Sequence, residues 1–237
     1  MREKYIDLLL NKCTDLSKSK ILFIHYRKES KDFYEVLDYY LELIRNLHKR
    51  TIDYIGELKA SVNPVMFCEG GFYGGNLKPD EKVKSILKPM TISFGITALN
   101  ELQRLYNGKS IREDGEFALE VMRYINDYVN RIKVEDDILY AIYGTPAESL
   151  CYRFARIDKE KFGTIKDITD KGYYTNTYHV DVREKIDAFA KLKFESQFQK
   201  ISSGGAISYI EIPNMRNNLK ALEEIVKFIY DNIQYAE

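Results

Sequence analysis

The segment Gly144-Thr145-Pro146-Ala147-Glu148-Ser149-Leu150 follows directly on an apolar run at 138–143 and opens a stretch of helical periodicity. Thr145 is a natural N-cap. Pro146 suits the first helical position, where its missing N–H would have no partner anyway, and Glu148 three residues on completes a capping box. As plain structure this is a well-made helix start, and the motif alone favours that reading because capping boxes are common. As chemistry, a strand-to-helix turn at the carboxyl end of an α/β sheet aims unpaired amides and the positive end of a helix at a phosphate. Glu148 opposes an anion there unless its carboxylate turns back onto the cap.

Other chemistry-bearing residues give weaker signals. The glycine-rich run from Gly70 to Gly75 matches neither GxGxxG nor a P-loop, so a close backbone approach to a ligand and a sharp turn stand level. His25 and His48 lie in polar surroundings and read as surface residues. In Tyr178-His179-Val180-Asp181, strand alternation would put His179 and Asp181 on one face, as an acid/base pair or two metal ligands. With no third ligand at a suitable spacing, a solvent-facing or hydrogen-bonded pair is the favoured reading. Cys68 and Cys151 sit beside apolar residues, where a thiol is usually inert packing. Gly204-Gly205 reads as a turn before a last strand, and the Asp and Glu residues are too scattered to suggest a carboxylate dyad.

The elements that must position these residues are legible as an alternation. Apolar residues recur at helical spacing over 30–59, 98–106, 113–133, 146–162, 186–199 and 219–235, and a short helix is expected over 80–87. Buried strands are expected at 64–68, 91–94, 138–143, 174–182 and 206–212. Strands alternating with helices through short loops imply parallel pairing with right-handed crossovers, an α/β fold. No linker, repeat or low-complexity stretch divides the chain, so 1–237 is expected to be one domain, with 1–60 a mainly helical lead-in.

The chain's 237 residues hold 36 basic and 36 acidic side chains, a formal net charge of zero. With no global field to hold nucleic acid or an anionic membrane, a phosphate-bearing ligand must be caught by a local site. Three cysteines without a CxxC pair argue against a disulfide framework or a zinc site. No signal peptide or membrane-spanning stretch is evident, which leads to the expectation of a cytoplasmic protein.

Several long strings occur together: 65–77 (VMFCEGGFYGGNL), 93–102 (SFGITALNEL), 143–150 (YGTPAESL), 174–180 (YTNTYHV) and 201–209 (ISSGGAISY). In these, from about 61 to 237, the sequence resembles the anaerobic, class III ribonucleoside-triphosphate reductases. The resemblance implies about half of a ten-stranded α/β barrel and a reaction that replaces the ribose 2′-hydroxyl of a ribonucleoside triphosphate with hydrogen. It also implies a glycyl radical, installed by an iron–sulfur, S-adenosylmethionine-dependent activase, which generates a thiyl radical at the barrel centre. Gly144 to Leu150 then looks like the family's substrate phosphate-binding turn, and Asn176 and His179 are candidates to line the pocket.

The family's thiyl-cysteine loop has no counterpart here, since Cys13 lies between Lys12 and Thr14. The CxxC pairs of the family's zinc site and its glycyl-radical loop lie beyond the matched strings. No metal and no cofactor is therefore assigned to this chain's own residues, and reductase chemistry belongs to an assembled enzyme. The expected partners are a ribonucleoside triphosphate, the remaining reductase polypeptide and the radical activase, with homodimers usual in the family. An inactive remnant and a stand-alone nucleotide-binding module are the alternatives.

Overall fold

The structure, a computed structural model, describes residues 33–70, 75–144 and 147–237. Its first helix, α1 (Phe33–Gly56), buries Phe33, Leu37 and Leu41 as the helical spacing predicts. The next segment departs from expectation. The apolar run at 64–68 is not a strand but a single helical turn, α2 (Pro64–Phe67), in which Pro64 takes the first position and the Asn63 side chain accepts the Met66 amide at 3.3 Å. A short apolar run fits either state, and the Asn-Pro pair decides for the helix.

The helix expected at 80–87 contracts to a 3₁₀ turn, Val83–Ile86. The backbone around it is committed elsewhere, since Ala60 N–H donates to Glu81 O at 2.8 Å and Val83 N–H to Leu58 O at 2.9 Å.

Strands β1 (Thr91–Ile96) and β2 (Leu139–Gly144) pair in parallel, from Thr91 opposite Leu139 to Ile96 opposite Gly144. Parallel pairing requires a crossover, and α3 (Leu99–Asn107) and α4 (Glu116–Asp136) supply it. Ser110 and Glu113 exchange side chain–backbone bonds, which holds 110–114 as a separate turn and starts α4 three residues later than the periodicity suggests. Met122, Val129 and Ile132 of α4 and Ile142 of β2 are fully buried and form the centre of the core. The α/β class with parallel strands and crossover helices stands as expected.

α1 is pinned across this core by charge. Arg45 donates to both oxygens of Asp136 at 2.7 Å, and Lys49 adds a 3.0 Å contact. The Arg45 hydrogen bond outweighs the cost of burial and holds the Asp136 carboxyl well below the usual range. His48, expected on the surface, is half-buried instead, edge-on to Phe94 at 4.8 Å and stacked over Tyr140 at 6.0 Å. Its place on the inner side of α1 overrides the polarity of its sequence neighbours. His25 and Cys13 lie outside the described residues.

Beyond β2 come α5 (Glu148–Phe162), α6 (Ala188–Gln199) and α7 (Leu219–Asn232). The strands expected at 174–182 and 206–212 do not form, and the second is reduced to one bridge, Ser208 to Ala236. Thr177 has φ +39°, which breaks an extended run, and Tyr178, His179, Val180 and Asp181 are all buried, so no face of 178–181 is open. Both segments still border the sheet. Ala98 N–H donates to Thr175 O at 3.0 Å beyond the end of β1, and Gly204 N–H to Ile142 O at 2.6 Å along the free edge of β2. A Cβ on Gly204 would lie 2.7 Å from the Ile142 carbonyl oxygen, so only glycine permits that approach.

Candidate functional site

The carboxyl ends of β1 and β2 lie side by side, because Ile96 and Gly144 are register partners. Thr97 follows one strand and the turn into α5 follows the other. Thr145, Pro146 and the Glu148 side chain lie outside the described residues, as do Gly71 to Gly74 of the glycine-rich run. α5 begins at Glu148, and its N-cap is Ala147, without a side-chain cap. The helix thus starts two residues later than the Thr145–Glu148 capping box requires, which makes Glu148 the first helical residue. The bond to the cap amide that a capping-box glutamate would make comes from elsewhere in the chain: Ala147 N–H donates to Asn176 Oδ1 at 3.2 Å.

Gly144 is tightly enclosed, since a Cβ there would lie 3.0 Å from the Ala206 Cβ and 3.4 Å from the Thr177 Cγ2, and the neighbours would have to give way by a few tenths of an ångström. Ser149 and Leu150 are exposed on the first turn of α5. Cys151, one turn along, is buried among Phe154, Ala155 and Tyr174, as its apolar neighbours in sequence suggest. Its Sγ also meets polar atoms, 3.0 Å from Thr97 Oγ1 and 3.2 Å from Asn176 Oδ1. The post-β1 residue, α5 and the 175–176 segment therefore converge on one point. Cys68 is half-buried beside Phe67 and Val83, away from this cluster.

His179 and Asn176 share a cleft of about 290 Å³ with Tyr173, Lys191 and Tyr209. The His179 ring is buried, with Nε2 2.7 Å from Ile207 O, and its backbone N–H donates to Asn176 O at 2.9 Å. It makes no pair with Asp181. The alternation that suggested one belongs to a strand that does not exist.

Asp181 instead joins a cluster that sequence reasoning missed. Lys171 Nζ, its side chain fully buried, lies 2.6 Å from Asp181 Oδ2 and 2.6 Å from Glu101 Oε1. Tyr173 O–H donates to Asp181 Oδ1 at 3.0 Å, and Arg183 adds three donors to the same carboxylate. Burial pushes the Asp181 carboxyl up, but the bonds from Arg183 and Lys171 outweigh it and hold the group well below the usual range. Burial, and then the Asp181 charge, push the Tyr173 phenol up to about 12. No spacing rule connects positions 101, 171 and 181, so nothing in the sequence marked the cluster.

Among the described residues, no group of three or more His, Cys, Asp or Glu side chains could hold a metal ion. No helix among them is long and apolar enough to cross a membrane.

The family model for anaerobic ribonucleoside-triphosphate reductase matches residues 21–237. The anaerobic ribonucleoside-triphosphate reductase of Haemophilus influenzae is 39% identical over 214 residues, which is 88% of this chain and 30% of that protein. The reductase of the same description from Enterobacteria phage T4 is 38% identical over 180 residues, 75% of this chain and 28% of that protein. The chain thus spans less than a third of the length of these relatives. Among solved structures, the anaerobic ribonucleotide reductase of Thermotoga maritima with MES in the active site is similar in fold, with a TM-score of 0.59 at 19% identity over 92% of this chain and 33% of that one.

Proposed function

The chain belongs to the anaerobic ribonucleoside-triphosphate reductase family, and from that premise we propose that it forms the part of a reductase barrel that binds the phosphates of a ribonucleoside triphosphate. The residues assigned to this role are Gly144, Thr145, Pro146, Ala147, Glu148, Ser149 and Leu150. Asn176 and His179 line the pocket beside them.

The observation that carries the proposal is the bond from Ala147 N–H to Asn176 Oδ1. It fixes the entry to a 15-residue helix at the carboxyl end of a parallel strand. The first four amides of such a helix have no intrahelical partner, and its dipole places roughly half a positive charge at that end. With Ala147 already bonded, the amides that follow it are the donors left for an anion. A chain of zero net charge has no broader field to offer, so a local dipole and a local set of amides are what its chemistry supplies.

In this account the chain binds and orients the nucleotide by its phosphates, which directs the ribose toward the barrel interior. A glycyl radical, installed by the iron–sulfur activase and held on the remaining reductase polypeptide, would supply the hydrogen-atom chemistry that yields the deoxyribonucleotide. The structural zinc that the family resemblance implies is likewise assigned to the remaining polypeptide. The test is calorimetric titration of the chain with a ribonucleoside triphosphate, beside the Thr145→Asp variant, whose added carboxylate must repel the ligand.

A further inference from the structure

Glu101 is a buried carboxylate with no exposed charge to balance. It lies in the first turn of α3, and four donors saturate it. Thr175 supplies two of them to Oε2, its amide at 3.1 Å and its hydroxyl at 2.8 Å. Lys171 Nζ and Asn100 Nδ2 supply the other two to Oε1, at 2.6 and 3.2 Å. Lys171, Tyr173 and Thr175 alternate along the chain, and all three reach the carboxylates of Glu101 or Asp181. The residue between the last two, Tyr174, donates instead to Asp158 at 2.8 Å. The next residue, Asn176, meets Ala147 and Cys151 of the α5 entry.

We propose that Glu101, Lys171 and Asp181 are positioning residues, a buried chain of charge that sets the backbone of 171–175 and so holds Asn176 against the entry to α5. This rests on the turn at Gly144–Leu150 being the phosphate site. Two carboxylates, Lys171 and Arg183 sum to zero, and Arg183 also meets Asp167 at 3.5 Å, so the cluster offers no free positive charge to a phosphate. Lys171 in particular is spent on two carboxylates and is not a phosphate ligand. Nor is stability a sufficient reason for the cluster. Buried ions lose much in desolvation, and a well-packed apolar set of similar volume is often as stable or more so. What ions provide and apolar contacts do not is direction. Each bond here has one donor and one acceptor, and together they fix which way Thr175 and then Asn176 face. Asn176 Oδ1 accepts both Ala147 N–H and the Cys151 thiol, which leaves its Nδ2 hydrogens for an oxygen of the nucleotide.

The test uses the whole chain and two readouts. One is the rate of Cys151 alkylation by N-ethylmaleimide, resolved by peptide mapping, without nucleotide. The other is the affinity for CTP. Glu101→Gln sets an amide donor either against Lys171 and Asn100 or against Thr175, and is expected to speed Cys151 alkylation and weaken CTP binding by roughly tenfold each. Adding Lys171→Met removes the charged one of the two donors on Oε1 and leaves only the Asn100 amide there at 3.2 Å, so it is expected to restore part of the protection, a rescue that two independent losses of stability would not produce. Thr175→Val removes one bond without changing shape and is expected to give a smaller change in the same direction. It decides the matter if Glu101→Gln does not fold.

Unchanged alkylation and unchanged affinity in Glu101→Gln, or in Thr175→Val where that variant decides, would overturn the proposal, as would a double variant worse than either single one. Failure of the unaltered chain to bind CTP would count against the phosphate site. The alkylation rates alone would then decide whether the cluster positions Asn176.

Discussion

Asn176 Oδ1 lies 3.2 Å from the backbone nitrogen of Ala147, across 29 positions of chain, and the same oxygen lies 3.2 Å from Cys151 Sγ. One carboxamide therefore closes the entry to α5 in place of a local capping side chain. Asn176→Ala is expected to lower stability by about 1 kcal/mol, the net worth of a hydrogen bond, which is roughly 2–4 °C in Tm for a chain of this size. Asn176→Asp keeps the accepting oxygen and is expected to stay near the parent in Tm while losing nucleotide affinity, because it adds a negative charge beside the proposed phosphate site. Thermal unfolding and a binding titration on the two variants check the pair.

The bare backbone at Gly144 faces Ala206, where a new Cβ would come within 3.0 Å of the existing one. Gly144→Ala is expected to cost about 1–3 kcal/mol by overpacking. The compensating Gly144→Ala/Ala206→Gly pair is expected to recover most of it. Urea denaturation of the two single variants and the double variant measures this, and additive losses would refute the contact.

Burial pushes the His48 imidazole down from its ordinary 6.5 to about 4. Its Nδ1 is buried without a hydrogen-bond partner among the described residues. Since the folded-state value lies below the unfolded one, the unfolded chain binds more protons between them. The contribution of His48 to stability is therefore full above about 6.5 and is lost as pH falls toward 4. The urea midpoint is expected to rise with pH across that window, and His48→Phe, which keeps an aromatic ring against Phe94 and Tyr140, is expected to flatten the slope.

The two lysine pairs at Lys171 and Lys227 differ in setting. The Lys171 side chain is fully buried between carboxylates, whereas the pair between Lys227 and Glu223 is exposed on α7 at 2.7 Å. Lys171→Met strands buried charge and is expected to cost about 3–5 kcal/mol. Lys227→Met is expected to change stability by less than about 1 kcal/mol. Equal effects in chemical denaturation would show that the Lys171 cluster is solvated.

What could be read in advance followed from periodicity. α1 and α4 carry their apolar residues at a spacing that only a helix satisfies, and the two paired strands are short apolar runs set between such helices, so their places are legible within a few residues. Residues 174–182 carry the apolar pattern of a strand and form none, for a physical reason. Two of their amides are satisfied by carboxylates and not by a ladder, as Thr175 N–H donates to Glu101 Oε2 and Val180 N–H to Glu195 Oε1, and others meet single backbone carbonyls, as Tyr174 N–H does at Cys151 O. A segment bonded in this way is apolar and buried without being a strand. At the site, the turn after β2 announced itself through Thr145, Pro146 and Glu148, although the helix begins later than they suggest. Asn176 and His179 were marked by the family resemblance and not by local pattern. The cluster at Lys171 joins residues brought together only by the fold, so no reading of spacing could find it.

The central claim is that the turn at Gly144–Leu150 binds the phosphates of a ribonucleoside triphosphate. Its most direct test is calorimetric titration of the chain with CTP, beside Thr145→Asp at matched thermal stability. The account predicts saturable one-site binding that weakens at least tenfold in Thr145→Asp. Equal affinity in the two proteins, or no binding by a cooperatively folded chain, would contradict it.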